Sequence, residues 1–349
     1  MRSLAAWSNF GRTPMSKGFF AATPHLIGEG DIGRLEARLA THYGMRHAVC
    51  VSSATTGLMA VALALNLRGS WFVTTPLTYG ASLSGWLMLG NRPAFVDVGD
   101  DHVTLDPSAI STALATRPRA ILAVDLLGYP CDVKALREVA SAHGMLLVVD
   151  ATQSLGAVRD GLASGHGADA VVVSFTSGKS LDAGEGGAVL TNDSDIYRRL
   201  LWWTQHPLRQ KRDLSLDIWN EFGLNGRMHP AAAQLAVRKW DAALDRVATH
   251  RSRVERDLDA LASCDLIEPR AIGVDVQPSY FRALVMPIAR AHKGLPAEAR
   301  ARRLRMSFTP LPCGLVPESP AFRALYHRRG RVFNYPRAKR TVATALCLA

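Results

Sequence analysis

The sequence has little lysine and no long apolar run. Only seven of its 41 basic residues are lysines, and the rest are arginines. No stretch approaches the roughly 20 apolar residues that a membrane-spanning helix needs. The opening MRSLAAWSNFGRTP has no apolar core of the kind a secretory signal carries. We therefore expect no membrane association and a cytoplasmic location. Cysteine is scarce and scattered, at Cys50, Cys131, Cys264, Cys313 and Cys347, without CxxC or another metal-ligand spacing. That pattern predicts reduced thiols and no metal site. Helix-turn-helix and zinc-finger spacings are missing too. The formal charge of +11, with clusters at Arg300, Arg302, Arg303, Arg305 and at Arg328, Arg329, Arg331, then reads as a solvated basic face and not a nucleic-acid surface. An anionic small substrate fits the charge equally well.

What is present describes a globular α/β protein. The 349 residues are 48% hydrophobic and 20% charged, enough for a large domain and a smaller one. Residues 31–42 read as an amphipathic helix capped by Asp31. HAVCVSS reads as a strand and TTGLMAVALAL as a buried helix. WFVTTP, RPAFVDV, AILAVDLL, GMLLVVD, AVVVSF and GGAVLTN are further strands, with helices such as DVKALREVASAHG between them. Strands alternating with helices imply a mainly parallel sheet covered on both faces. From Pro230 to about Ala262 a long helix leads out of the large domain. Residues 265–349 give no clear pattern.

The chemistry is concentrated in LLVVDATQSLGA at 146–157 and VVVSFTSGKSLDAGEGGAVLTN at 171–192. One strand ends in Asp150, with Gln153 three residues on. The next leads to Ser174, and Lys179 follows in a glycine-rich loop. An acid at one strand end, with a hydroxyl and an amine at the next, is the set that a pyridoxal phosphate (PLP) site needs. The acid faces the pyridine nitrogen, the hydroxyl the phosphate, and the amine forms the Schiff base. Each residue also has an ordinary role. Lys179 could be a solvated loop lysine, Asp150 a helix cap before TQS, and Gln153 a first-turn helix residue.

These segments, with GEGDIGRLEARLATHYGMRHAVCVSSATTGLMAVALAL, FVTTPLTYGAS, RPAFVDVGDDHVTLDPSAI and GLNGRMHPAAAQLA in the same order, resemble the DegT/StrS-type (DegT/DnrJ/EryC/StrS) family of PLP-dependent sugar aminotransferases. The resemblance implies the PLP-dependent transferase fold type I. A large PLP-binding domain (1–235) with a mainly parallel sheet would be joined by a long helix to a smaller C-terminal α/β domain (236–349). The segment like VATALCLA is normally followed by more sequence in the family, so this domain is expected to be shortened.

The resemblance also implies roles. Lys179 would carry PLP and Asp150 would hold the pyridinium proton. Gln153 would lie near the phenolic oxygen, and Tyr79 would stack on the ring. Phosphate would be held by Ser174, by Ser53 and by the backbone donors of Thr55 and Thr56, where the family's Ser-Gly-Thr is here Ser-Ala-Thr. Asn225 matches an Asn-x-Arg loop that reaches the neighbouring subunit's phosphate, which implies a homodimer with shared sites. Arg227 of that loop is a candidate substrate contact, whereas His206, beside Trp202 and Trp203, reads as packing. The expected activity moves an amino group from an amino acid, glutamate by resemblance, to a keto-sugar, nucleotide-linked keto-sugar or cyclitol. The alternative keeps PLP but performs elimination, aldol-type or carbon–carbon bond-forming chemistry in specialised metabolism.

Overall fold

The computed structural model describes residues 24–215, 219–263, 267–268, 272–288, 306–326 and 330–348. In chain order the elements are α1 (Asp31–Tyr43), β1 (His47–Val51), α2 (Ala54–Ala64), β2 (Trp71–Thr74), α3 (Gly80–Met88), β3 (Arg92–Phe95) and β4 (Ala120–Val124). There follow α4 (Val133–Ala142), β5 (Leu146–Asp150), β6 (Val158–Arg159), β7 (Leu162–Ala163), β8 (Ala170–Ser174), β9 (Gly187–Thr191), α5 (Ser194–Thr204) and α6 (Pro207–Leu214). The chain continues with α7 (Pro230–Ser263), β10 (Val276–Gln277), β11 (Ala283–Val285), β12 (Phe308–Pro310), α8 (Pro320–Tyr326), β13 (Arg331–Val332), α9 (Pro336–Thr344) and β14 (Leu346–Leu348). Of the basic clusters, Arg300, Arg302, Arg303, Arg305, Arg328 and Arg329 lie outside the described residues, as does Cys264.

The main sheet has the order β1-β9-β8-β5-β4-β2-β3-β13 and is parallel from β13 to β8. Only β9, paired with β8 and β1, runs against its neighbours. Its central strands are apolar up to their carboxyl ends because both faces are covered. Ile121, Leu147 and Val149 pack with Leu35, Leu39 and Leu136 on one face, while Leu122 and Val148 pack with Leu58, Val61 and Trp86 on the other. The alternation along β4 and β5 is the period-two geometry of a strand.

Two local expectations change. Asp31 is not the cap of α1: Gly30 holds that position, and Asp31 sits in the first turn, bound to Arg34 at 2.5 Å. No helix follows Asp150; residues 151–157 form turns. The long helix is present as α7. Its first half buries Ala233, Ala236, Trp240 and Ala243 against the main-sheet core. Its second half packs Val254, Leu258 and Leu261 with β11 and β14. Strands β11-β14-β12 form a separate antiparallel sheet, and β13 returns to extend the main sheet beside β3. No helix among the described residues is long and apolar enough to cross a membrane.

Candidate active site

Asp150 and Ser174 end the adjacent parallel strands β5 and β8, at the carboxyl edge where open α/β sheets bind ligands. Asp150 is 2% exposed, and its carboxylate accepts from the Thr152 amide at 3.1 Å. Ser174 stands opposite Gly187 in the β8–β9 ladder. Between these strands runs the loop that presents Lys179. Asp182 braces it, accepting from Gly178 N at 3.0 Å and Gly184 N at 2.9 Å, and Lys239 of α7 donates to the Asp182 carbonyl at 2.9 Å. Gly178 (φ 86°) and Gly184 (φ 83°) take the left-handed turns this loop requires. Lys179 is half-buried. Burial lowers the pKa of its amine, and the nearby Asp150 carboxylate opposes that shift. Acid and amine, 29 positions apart in sequence, thus share one electrostatic environment.

The start of α2 reaches the same edge. A Cβ on Gly187 would lie 2.7 Å from Ala54 N, so glycine there lets the helix start approach β8 and β9. Ser53 caps α2, its hydroxyl accepting from Thr56 N at 3.1 Å. The Thr56 amide, expected as a phosphate donor, is therefore engaged, and its hydroxyl meets Ser52 and Ser53. The first intrahelical bond runs from Gly57 N to Ser53 O. The amides of Ala54 and Thr55 precede it and stand at the positive end of the helix dipole. Alanine at position 54 is accommodated as the first helical residue.

Gln153 is not in a helix. Its Oε1 accepts from Leu127 N at 2.6 Å and its carbonyl accepts from Ser279 Oγ at 3.1 Å, so it knits two backbone segments together beside Asp150. Tyr79 immediately precedes α3 and is 36% exposed. Its phenol pKa is pushed up by burial and Cys313, with Arg282 opposing. It borders a cavity of about 610 Å³ between α3 and residues 313–326, lined by Leu87, Met88, Cys313, Phe322 and Leu325. Lys179 is not among the lining residues.

The GLNGR loop lies against this chain's own β1 and α2. Ser52 N donates to Gly226 O at 2.7 Å, Arg227 bridges Val51, and a Cβ on Gly226 would lie 2.7 Å from Thr56 Cγ2. Asn225 is exposed with a left-handed φ of 48°. Burial lowers the pKa of the half-buried Arg227 guanidinium. His206 caps α6, its Nδ1 accepting from Leu208 N at 3.2 Å, and its pKa is lowered by burial, Arg227 and His25.

Sequence reasoning missed two features. Phe281 puts its ring 4.9 Å from Lys179 Nζ, and nothing in PSYFRALVM marked it. Asp125 is fully buried, accepting from Cys131 N at 2.9 Å and Ser154 Oγ at 2.7 Å and bound to Ser164 Oγ. Burial raises its pKa against those bonds. It anchors the turn that follows Asp150.

An α/β sheet with an acid, a hydroxyl and a glycine-loop amine at its carboxyl edge defines the class of protein. The DegT/DnrJ/EryC1/StrS aminotransferase family model matches residues 26–299, and the chain belongs to that family. It is 33% identical over 252 residues to a dTDP-3-amino-3,4,6-trideoxy-alpha-D-glucose transaminase of Micromonospora megalomicea subsp. nigra, covering 70% of this chain and 64% of the relative. A transaminase of the same name from Streptomyces venezuelae is 36% identical, over 54% of this chain and 50% of the relative. The chain thus spans between half and two thirds of the length of these two relatives. Among solved structures, S. venezuelae DesV in complex with a ketimine intermediate superposes with a TM-score of 0.74 at 28% identity, over 95% of this chain and 89% of that one.

Proposed function

We propose that this chain is a PLP-dependent aminotransferase that passes an amino group from an amino acid to a keto group on a sugar, nucleotide-linked sugar or cyclitol. The observation that carries it is the Lys179 amine, half-buried in a braced glycine loop and coupled to the Asp150 carboxylate. Family membership supports the same reading. The residues fit the cofactor: a buried acid, a nearby amine of lowered pKa, and a helix start brought close by Gly187. PLP supplies an aldehyde and an electron-withdrawing ring. Lys179 would hold it covalently and then move protons as a general base and acid. Asp150 would keep the ring nitrogen protonated, and Tyr79 would fix the ring plane. The amides of Ala54 and Thr55, with Ser53 and Ser174, would bind phosphate.

Borohydride reduction of the purified holoprotein followed by peptide mapping should place the pyridoxyl adduct on Lys179. An adduct elsewhere, or no cofactor uptake, removes the reading. Incubation with glutamate should release 2-oxoglutarate. Retention of glutamate without any keto acid would favour elimination or carbon–carbon bond chemistry on the same cofactor.

We also propose a homodimer in which the loop around Asn225 of each copy completes the other's phosphate site. The exposed Asn225, held at φ 48° beside the start of α2, suits a contact made twice across a two-fold axis. Mixing Lys179→Ala and Asn225→Ala proteins should restore activity, because each mixed dimer carries one intact site. No rescue despite subunit exchange would mean that Asn225 serves its own chain.

A further inference from the structure

We propose that Arg282 receives the carboxylate of the amino donor and so sets donor specificity in the first half-reaction. The proposal rests on the aminotransferase reading above.

The Phe281 ring lies between two cations. Lys179 Nζ lies 4.9 Å from its centroid and Arg282 Cζ 5.3 Å, so one ring bridges the two cations. Their separation cannot exceed those two distances together. The Lys179 amine is where the donor's amino group must arrive. An α-amino acid carries its carboxylate on the carbon next to that nitrogen, and glutamate carries a second one a few bonds away. A donor bound for exchange at Lys179 therefore brings an anion beside the Phe281 ring, whose other cationic neighbour is Arg282.

Arg282 is free to receive it. It is exposed, and its Nη1 donates to the Phe281 carbonyl at 3.1 Å. No carboxylate among the described residues pairs with it, whereas Arg337 pairs with Asp100 and Asp106, and Arg340 with Glu268. The other cations nearby are committed or elsewhere. Lys239 is held by the Asp182 carbonyl, and Arg227 sits at the end of β1. A guanidinium lying over an aromatic ring keeps its planar N–H edge open for two parallel bonds to a carboxylate.

The backbone fixes this arrangement. Tyr280 is fully buried with a left-handed φ of 51°, a conformation a tyrosine adopts only when its surroundings impose it. Ser279 N donates to Gly128 O at 2.9 Å and Arg282 N to Leu127 O at 3.2 Å. A Cβ on Gly128 would lie 2.8 Å from Phe281 N. His250 Nε2 meets the Tyr280 carbonyl at 2.9 Å, and Gln153 grips both segments. Phe281 and Arg282 are thus presented on a braced turn rather than a loose loop, as a specificity residue requires.

The test uses holoenzyme and follows cofactor absorbance in single turnovers with glutamate. Arg282→Gln should raise the glutamate concentration for half-maximal rate about 10- to 100-fold, the loss of one charge-assisted pair. The limiting rate should stay within about threefold, and Arg282→Lys should recover part of the affinity. Calorimetry with 2-oxoglutarate should show the same loss, and dTDP binding should be unchanged. An unchanged glutamate dependence, or a loss confined to dTDP, would overturn the assignment. If the wild type carries cofactor on Lys179 but is converted by neither glutamate nor any other amino acid, the aminotransferase reading fails. The 2-oxoglutarate comparison between wild type and Arg282→Gln then decides the carboxylate site by itself.

Discussion

Replacing Asp150 with asparagine should lower turnover about 100- to 1,000-fold, the scale expected when a preorganised charge is removed from a reacting centre. The fold should be unaffected. The asparagine carbonyl can still accept from Thr152 N, and the side chain keeps its size at a position only 2% exposed. What it cannot supply is a negative charge opposite the ring nitrogen of the proposed cofactor. The same substitution has a second consequence, read without turnover. Asp150 holds the Lys179 pKa up against the lowering effect of burial. Removing the carboxylate should shift deprotonation of Lys179 in the cofactor-free protein to lower pH. A pH titration of amine reactivity, resolved by peptide mapping, measures it. Normal turnover together with an unmoved Lys179 titration would reduce Asp150 to a turn-forming residue.

Much of this candidate site was legible because its residues lie at strand ends. LLVVD and AVVVS are apolar up to a single polar residue, and a parallel sheet buried on both faces forces that polar residue to the carboxyl edge. Lys179 stood out because lysine is rare in this chain and glycines surround it. The misreadings have equally physical causes. Asp31 has the composition of a cap, but Gly30 takes the preceding position with a left-handed φ of 67°, and Asp31 pairs with Arg34 instead. Asp150-Ala-Thr-Gln-Ser looks like a helix start, but Asp125 binds Ser154 and Ser164, and Gln153 is drawn to Leu127 N. Those long-range bonds hold the segment in turns. Phe281 and Arg282 could not be found from sequence. Their position depends on the contact between residues 127–128 and 279–282, about 150 positions apart, and local periodicity carries no trace of it.

The largest stability effect should come from a buried ion pair equally invisible in the sequence. Glu36 of α1 and Arg209 of α6 meet in a bidentate contact, at 3.0 Å and 2.8 Å, with side-chain exposures of only 10% and 3%. Glu36 also accepts from Cys50 N at 2.8 Å, and Gln205, which accepts from Arg209 at 3.3 Å, donates to Cys50 O at 3.1 Å. The pair therefore secures β1 just ahead of Ser52 and Ser53, where the proposed phosphate site begins. Burial works to lower the Arg209 pKa, but Glu36, with Tyr197 and Asp213, outweighs it, and the net shift is upward. Glu36→Ala should cost about 3 kcal/mol, since it leaves the buried guanidinium with Asp213 as its remaining carboxylate, at 3.2 Å, and leaves Cys50 N without its acceptor. The double variant Glu36→Leu/Arg209→Met should recover most of that loss, because neither charge of the pair then needs desolvation and Asp213 keeps its contact with Arg212 at 2.5 Å. Urea unfolding of wild type, Glu36→Ala and the double variant separates the contributions. A loss below about 1 kcal/mol in the single variant would place the pair among surface contacts that contribute little. A double variant as unstable as the single one would show that the hydrogen bond to Cys50, and not the under-paired guanidinium, dominates. The first outcome requires Asp213 and entering water to satisfy the whole of a guanidinium that is 3% exposed, and the packing of Arg209 against Gly28, which leaves no room there for a Cβ, argues against that water.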